Sequence, residues 1–117
     1  MATLIVEEIP RYGAGFGALT AQTPTVGGDV FQNTGREMVM AVGVTGWTTE
    51  TVQVEGVPSN DSARDGTATL APGAVGGIDI AGPFKPRNWN TPAGAVALTY
   101  PGGVTGLEMY VFRFTTG

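Results

Sequence analysis

Apolar residues at every second position, in short runs, are the feature of this sequence that most constrains its fold. Residues 36–44 (REMVMAVGV), 51–55 (TVQVE) and 95–100 (AVALTY) all show this alternation. Successive side chains of a β-strand point to opposite faces of a sheet, so a period of two predicts strands with one buried face. Turn-forming residues separate the runs about every ten residues, and no long run has helical periodicity. The sequence therefore predicts an all-β fold: an antiparallel β-sandwich or jelly-roll-like barrel of about 7–8 strands with an extended N-terminal arm.

The last predicted strand, residues 104–114, is apolar on both faces. One face carries Leu107, Met109 and Val111, and the other carries Tyr110, Phe112 and Phe114. A strand of this composition has both faces covered, either by a second sheet or by a partner chain. The run at residues 36–44 is also unevenly divided: Met38, Met40, Val42 and Val44 share one side, and the side that begins with Glu37 is only half polar.

Two segments of different character divide the chain. Residues 1–28 are predicted to form an N-terminal strand, at residues 2–9, followed by a glycine- and proline-rich arm, whereas residues 29–117 form the β-sandwich domain. An arm of this composition is ordered only where something holds it. Its apolar side chains are candidates for contact with a neighbouring subunit: Ile9, Tyr12 and Phe16.

The composition indicates a surface that is partly covered by protein. Only 14% of the residues are charged, compared with about 25% in a typical soluble domain. The formal net charge is −4 and the 6 lysine and arginine residues are scattered, so nucleic acid is not expected as a partner. No apolar run approaches the roughly 20 residues needed to cross a bilayer, so a membrane is not expected either.

The start of the chain and its cysteine content predict where it is made. The residues MATLIVEEIP lack the basic region of a secretory signal, and the chain has no cysteine. Both features fit synthesis in a reducing cytosol.

The residue types that carry most enzyme chemistry are missing or unpaired. The chain has no histidine, which removes the commonest general base and the commonest zinc ligand. A sugar hydrolase, which uses a pair of carboxylates, is one alternative function, but no two of the 10 acidic residues stand out as such a pair. The glycines of residues 13–17 lack the following helix that a nucleotide-binding loop requires. We therefore predict a protein that is not an enzyme and uses no cofactor.

One loop is a candidate for a metal ion. In residues 60–66 (NDSARDG), Asp61 and Asp65 precede a glycine, but the other positions depart from the ligand spacing of an EF-hand. A solvated turn is the favoured interpretation, with a looser Ca²⁺ site as the alternative.

The stiff segment, residues 83–92 (PFKPRNWNTP), contains the most conspicuous residues of the chain. Its prolines lack amide donors, so the segment cannot form a regular central strand. A stiff loop loses little entropy on binding, and its side chains form a candidate protein interface: Phe84, Lys85, Arg87 and Trp89. Trp89 has two alternative roles, which are closing one end of the core or stacking on a sugar.

Several motifs follow one another in a characteristic order: FQNTGREMVMAVGV, a TVQV strand, ATLAPG, IDIAGPFKPRNWN and GAVALTYPGGVTGLEMYVFRF. In this order they resemble the small head proteins encoded beside the major capsid protein in many tailed bacteriophages. The resemblance spans about residues 31–114. It implies a capsid decoration, or cement, protein, which is a β-sandwich module that sits on the assembled shell, often as a trimer.

The resemblance also implies partners and a location. The partner would be the major capsid protein, and the chain would be a homo-oligomer, with a trimer favoured. The location would be the outer capsid surface of the virion, after synthesis in the host bacterial cytoplasm. The expected function is to decorate and stabilise the capsid. The alternative is a carbohydrate-binding β-sandwich module, on a phage appendage or a host-surface-binding protein, that uses Trp47 or Trp89.

Overall fold

Two β-sheets lie face to face in the computed structural model, which describes residues 2–9, 19–48, 50–56 and 67–114. In chain order the elements are β1 (Ala2–Thr3), β2 (Val6–Ile9), β3 (Asp29–Gln32), β4 (Met38–Gly43), β5 (Val52–Glu55), β6 (Thr67–Leu70), β7 (Ile78–Ala81), α1 (Pro86–Trp89), β8 (Ala95–Thr99) and β9 (Leu107–Phe114). The predicted all-β sandwich is confirmed. The described residues contain nine strands, and their two sheets do not close into a barrel.

The strand order places the first two strands at the edges. One sheet has five strands in the order β1-β3-β8-β5-β6, and the other has four in the order β2-β9-β4-β7. Most neighbours are antiparallel, but β1 pairs with β3 and β2 pairs with β9 in parallel. The N-terminal strands therefore complete one edge of each sheet.

The main core fills the space between the sheets. Alternate side chains of the five-stranded sheet point inward, among them Phe31, Val52, Val54, Val96 and Leu98. They meet the inward side chains of the four-stranded sheet, among them Val39, Ala41, Leu107, Met109 and Val111. The side of β4 that faces the core is therefore the one that begins with Glu37, since Val39 and Ala41 belong to the main core. Met40 lies on the opposite side and belongs to a second cluster.

Residues 2–9 are integrated into the sandwich. The chain leaves one sheet after β1, buries Leu4 between the sheets and joins the other sheet as β2. The Gln22 side chain fixes this crossing, since it accepts a hydrogen bond from the Ile5 N–H at 2.7 Å and donates one to the Ile5 carbonyl at 2.8 Å. The sequence predicted that Ile9 contacts a neighbouring subunit. This prediction is wrong, because the Ile9 side chain is buried within the chain. Tyr12 and Phe16 lie outside the described residues.

A buried carboxylate holds β1 against the rest of its sheet. Asp29 is fully buried and accepts hydrogen bonds from the Tyr100 hydroxyl at 2.6 Å, the Thr25 N–H at 2.9 Å and the Ala2 N–H at 3.3 Å. Burial and the neighbouring Asp29 raise the pKa of the Tyr100 phenol, so it stays a hydrogen-bond donor. These three hydrogen bonds replace the water that the buried carboxylate would otherwise bind.

Replacing Leu4 tests whether residues 2–9 belong to the fold. We expect Leu4→Ala to lower the free energy of unfolding by about 2–4 kcal/mol, because it leaves a cavity between the sheets. Ile5→Ala is the matched control: the Ile5 side chain is 70% exposed, and its loss should change stability by less than about 0.5 kcal/mol. Chemical denaturation measures both values. Equal effects of the two substitutions would show that the crossing is not part of the stable core.

Candidate protein-interaction surfaces

The stiff segment is anchored to the core by its aromatic residues. Phe84 is buried between Phe31, at a ring-centroid distance of 6.0 Å, and Trp89, at 5.2 Å with the rings edge to face. The prediction that Phe84 offers its side chain to a neighbour is therefore corrected: the residue lies inward because its ring fills the end of the core. Trp89 is partly buried against the same cluster, as in the interpretation that it closes one end of the core.

Two asparagines join the stiff segment to the turn at residues 33–36. The Asn33 amide donates hydrogen bonds to the Phe84 carbonyl at 2.9 Å and to Asn90 Oδ1 at 2.6 Å. The Asn90 amide returns a hydrogen bond to the Asn33 carbonyl at 3.0 Å. The turn also lies directly against the segment, because a Cβ atom at Gly35 would stand 3.3 Å from Pro86 Cδ. The two segments therefore form one surface.

That surface carries three exposed cations, Arg36, Lys85 and Arg87, and we call it the basic end. Lys85 and Arg87 were predicted from the stiff segment, and the structure leaves both side chains exposed. Arg36 was not predicted as a contact residue, because it lies some 50 positions earlier in the sequence, within a turn signal. The proximity of its turn to the stiff segment arises from the tertiary fold, through the paired asparagines.

An ion-pair network braces the same end of the sandwich. Glu37 is fully buried and accepts hydrogen bonds from the Thr34 N–H at 2.6 Å and from Arg113 Nη1 at 2.8 Å. Arg113 also binds Glu8 Oε1 through Nη2 at 2.9 Å. The network thus joins β2 and β9 to the start of β4. Burial, the largest influence, opposes ionisation of Glu37, but the hydrogen bonds from Thr34 and Arg113 together hold its pKa below the ordinary value.

The outer face of the four-stranded sheet, which points away from the main core, is also apolar. By the register of the sheet, it comprises alternate residues of four strands, and all but the two glutamates are apolar or aromatic: Glu7, Ile9, Met38, Met40, Val42, Ile78, Ile80, Glu108, Tyr110, Phe112 and Phe114. Ile9, Met40 and Phe112 are buried there as a second cluster, with Leu19 packed against them. Ile78, Ile80 and Phe114 are 59%, 41% and 46% exposed. The predicted covering of β9 on both faces is therefore complete on its core side and partial on its outer side.

Trp47 is not placed for sugar stacking. It is buried in the main core and lies on Gly43, where a Cβ atom would come within 2.5 Å of Trp47 Cδ1. Its Nε1 atom is buried without a hydrogen-bond partner. The carbohydrate-binding alternative thus keeps only Trp89 of the two tryptophans on which it was based.

The chain matches no family model, and it has no significant match among curated proteins or solved structures. Within the described ranges, no group of three or more acidic, histidine or cysteine residues is placed to hold a metal ion. The loop with Asp61 and Asp65 lies outside those ranges. Across the same part of the chain, no helix has the length and apolar character to span a membrane.

The buried Glu37 carboxylate should make stability depend on pH. Its folded pKa lies below the ordinary value of 4.5, so its contribution is full above that value and is lost as the pH falls through the folded pKa. We expect Glu37→Gln to cost about 2–4 kcal/mol at neutral pH, because Arg113 loses a buried charged partner. The difference from the wild type should shrink as the medium is acidified to about pH 3.

Glu8→Gln is the control, because Glu8 binds the same arginine but its side chain is 50% exposed. That substitution should cost less than about 1 kcal/mol. Urea denaturation across the pH range gives both comparisons. A Glu37→Gln effect that is constant with pH would contradict the assigned role of the carboxylate.

Proposed function

We propose that this chain is a structural virion protein that decorates and stabilises a bacteriophage capsid by binding the assembled major capsid protein lattice. In this proposal it acts as a homo-oligomer, with a trimer favoured, and performs no chemistry. The proposal is supported by the resemblance of residues 31–114 to phage head proteins and by the surfaces of the sandwich.

The observation that carries the proposal is the outer face of the four-stranded sheet. Ile78 and Ile80 lie on the edge strand β7, opposite Val42 and Met40 of β4. These side chains extend the buried cluster of Ile9, Met40 and Phe112 into solvent. Contiguous exposed apolar surface of this kind is typical of protein contact sites, because covering it removes apolar area from water.

The rest of the molecule fits a rigid module for repeated attachment. The stiff segment is fixed by Phe84 and by the asparagine pair, so it loses little conformational freedom on binding. A capsid lattice offers many equivalent sites, and each engaged copy of an oligomer raises the effective concentration of the next. Weak contacts by single copies then suffice for stable decoration.

Co-sedimentation with capsids that lack the protein tests the proposal. We expect wild-type protein to pellet with the capsids, and the double variant Ile78→Ser/Ile80→Ser to bind at least about tenfold more weakly, since it loses roughly 1 kcal/mol or more of apolar contact per side chain. Val75→Ser is the matched control: Val75 is 56% exposed but lies in the turn before β7. It should bind as the wild type does. Absence of wild-type co-sedimentation would refute the proposed function.

A further inference from the structure

The strand registers place every described cation at one end of the sandwich. β4 begins where β9 ends, with Met38 opposite Phe112, so Arg113 lies near the start of β4. β8 begins where β3 ends, with Ala95 opposite Gln32, and the turn and the stiff segment that carry Arg36, Lys85 and Arg87 adjoin this point. Four acids also lie at this end. Arg113 binds Glu8 and Glu37, Glu55 accepts a hydrogen bond from the Thr99 hydroxyl at 2.8 Å, and Glu7, on the outer face opposite Phe112, accepts one from the Thr20 N–H at 2.8 Å.

The opposite end, which we call the acidic end, carries Glu50 and Glu108. Glu108 is the second residue of β9 and pairs with Val42, near the end of β4. Glu50 precedes β5 and its side chain lies against Gly102, in the turn after β8. No lysine or arginine of the described residues lies there.

We propose that the basic end of one copy of this chain binds the acidic end of a second copy, in a head-to-tail contact that orders the copies around the oligomer. The contact places Arg36, Lys85 and Arg87 opposite Glu50 and Glu108. Two different patches on each copy make the interface heterologous, and such interfaces close into rings when the rotation allows. Rim charges of this kind fix the order of partners more than they add affinity.

A second copy fits the basic end better than nucleic acid does. Three exposed cations can neutralise only a few phosphates, and each contact contributes little at physiological salt. The chain as a whole has a net charge of −4, which repels a polyanion. Glu50 and Glu108 supply an acidic surface on every neighbouring copy, so unlike ends of two copies are complementary in charge.

Charge reversal tests the contact without any capsid present. We expect the wild type to self-associate in sedimentation velocity, and the basic-end variant Arg36→Glu/Lys85→Glu/Arg87→Glu to do so at least about tenfold more weakly. Adding Glu50→Lys and Glu108→Lys to that variant exchanges the charges of both ends, and should restore association to within about threefold of the wild type. Raising the salt concentration from about 50 to 500 mM should weaken the association of the wild type and of the variant with all five substitutions.

Circular dichroism and the denaturation midpoint establish that each variant is folded. The inference would be overturned if the basic-end variant associated as strongly as the wild type. It would also be overturned if the variant with all five substitutions were folded but stayed dissociated. A wild-type protein that remains monomeric or that stops at a dimer would also overturn the inference, as would binding of RNA to the basic end. The inference rests on the proposed homo-oligomer, and the two fail separately. Capsid binding by a monomer refutes only the head-to-tail contact, whereas a charge-dependent oligomer that ignores capsids refutes only the decoration function.

Discussion

The burial of β9 on both of its faces is the constraint on which the rest of this structure depends. Leu107, Met109 and Val111 lie in the main core, while Phe112 is buried on the other side with Ile9 and Met40. A strand of this kind cannot lie at the surface of a two-layer sandwich without cover on its outer side. The side chains of Ile9 and Leu19 provide part of that cover. The remaining apolar residues of the outer face are the feature of the fold on which the proposed function rests.

The buried polar groups of the sandwich are placed where strands from different parts of the chain must meet. Asp29 joins the N-terminal strand to β3 and Tyr100, and Glu37 joins β4 to Arg113 of the last strand. Each carboxylate has donors that satisfy it, because an unpaired charge in such a position would be costly. The asparagine pair does the same for the stiff segment. The asparagine pair and Glu37 hold in place the backbone that carries the cations of the basic end.

The sequence was sufficient for the fold class and for the unusual strand. Alternation of period two predicted the strands, and the two-faced pattern of residues 104–114 predicted that both sides of β9 need covering. It was not sufficient for the direction of individual side chains. Phe84 looked available in a proline-rich loop, but the aromatic cluster with Phe31 and Trp89 exists only once residues distant in sequence are brought together. Arg36 lies at the basic end for the same reason. Ile9 is buried because β2 pairs with β9.

Cryo-electron microscopy of the decorated particle tests the central claim most directly. If this chain functions through the surfaces it presents to neighbouring protein, the reconstruction should show Ile78, Ile80 and Phe114 covered by the capsid lattice. A reconstruction in which the outer face of the four-stranded sheet points to solvent in every copy, or particles that contain no copy of the chain, would contradict the account.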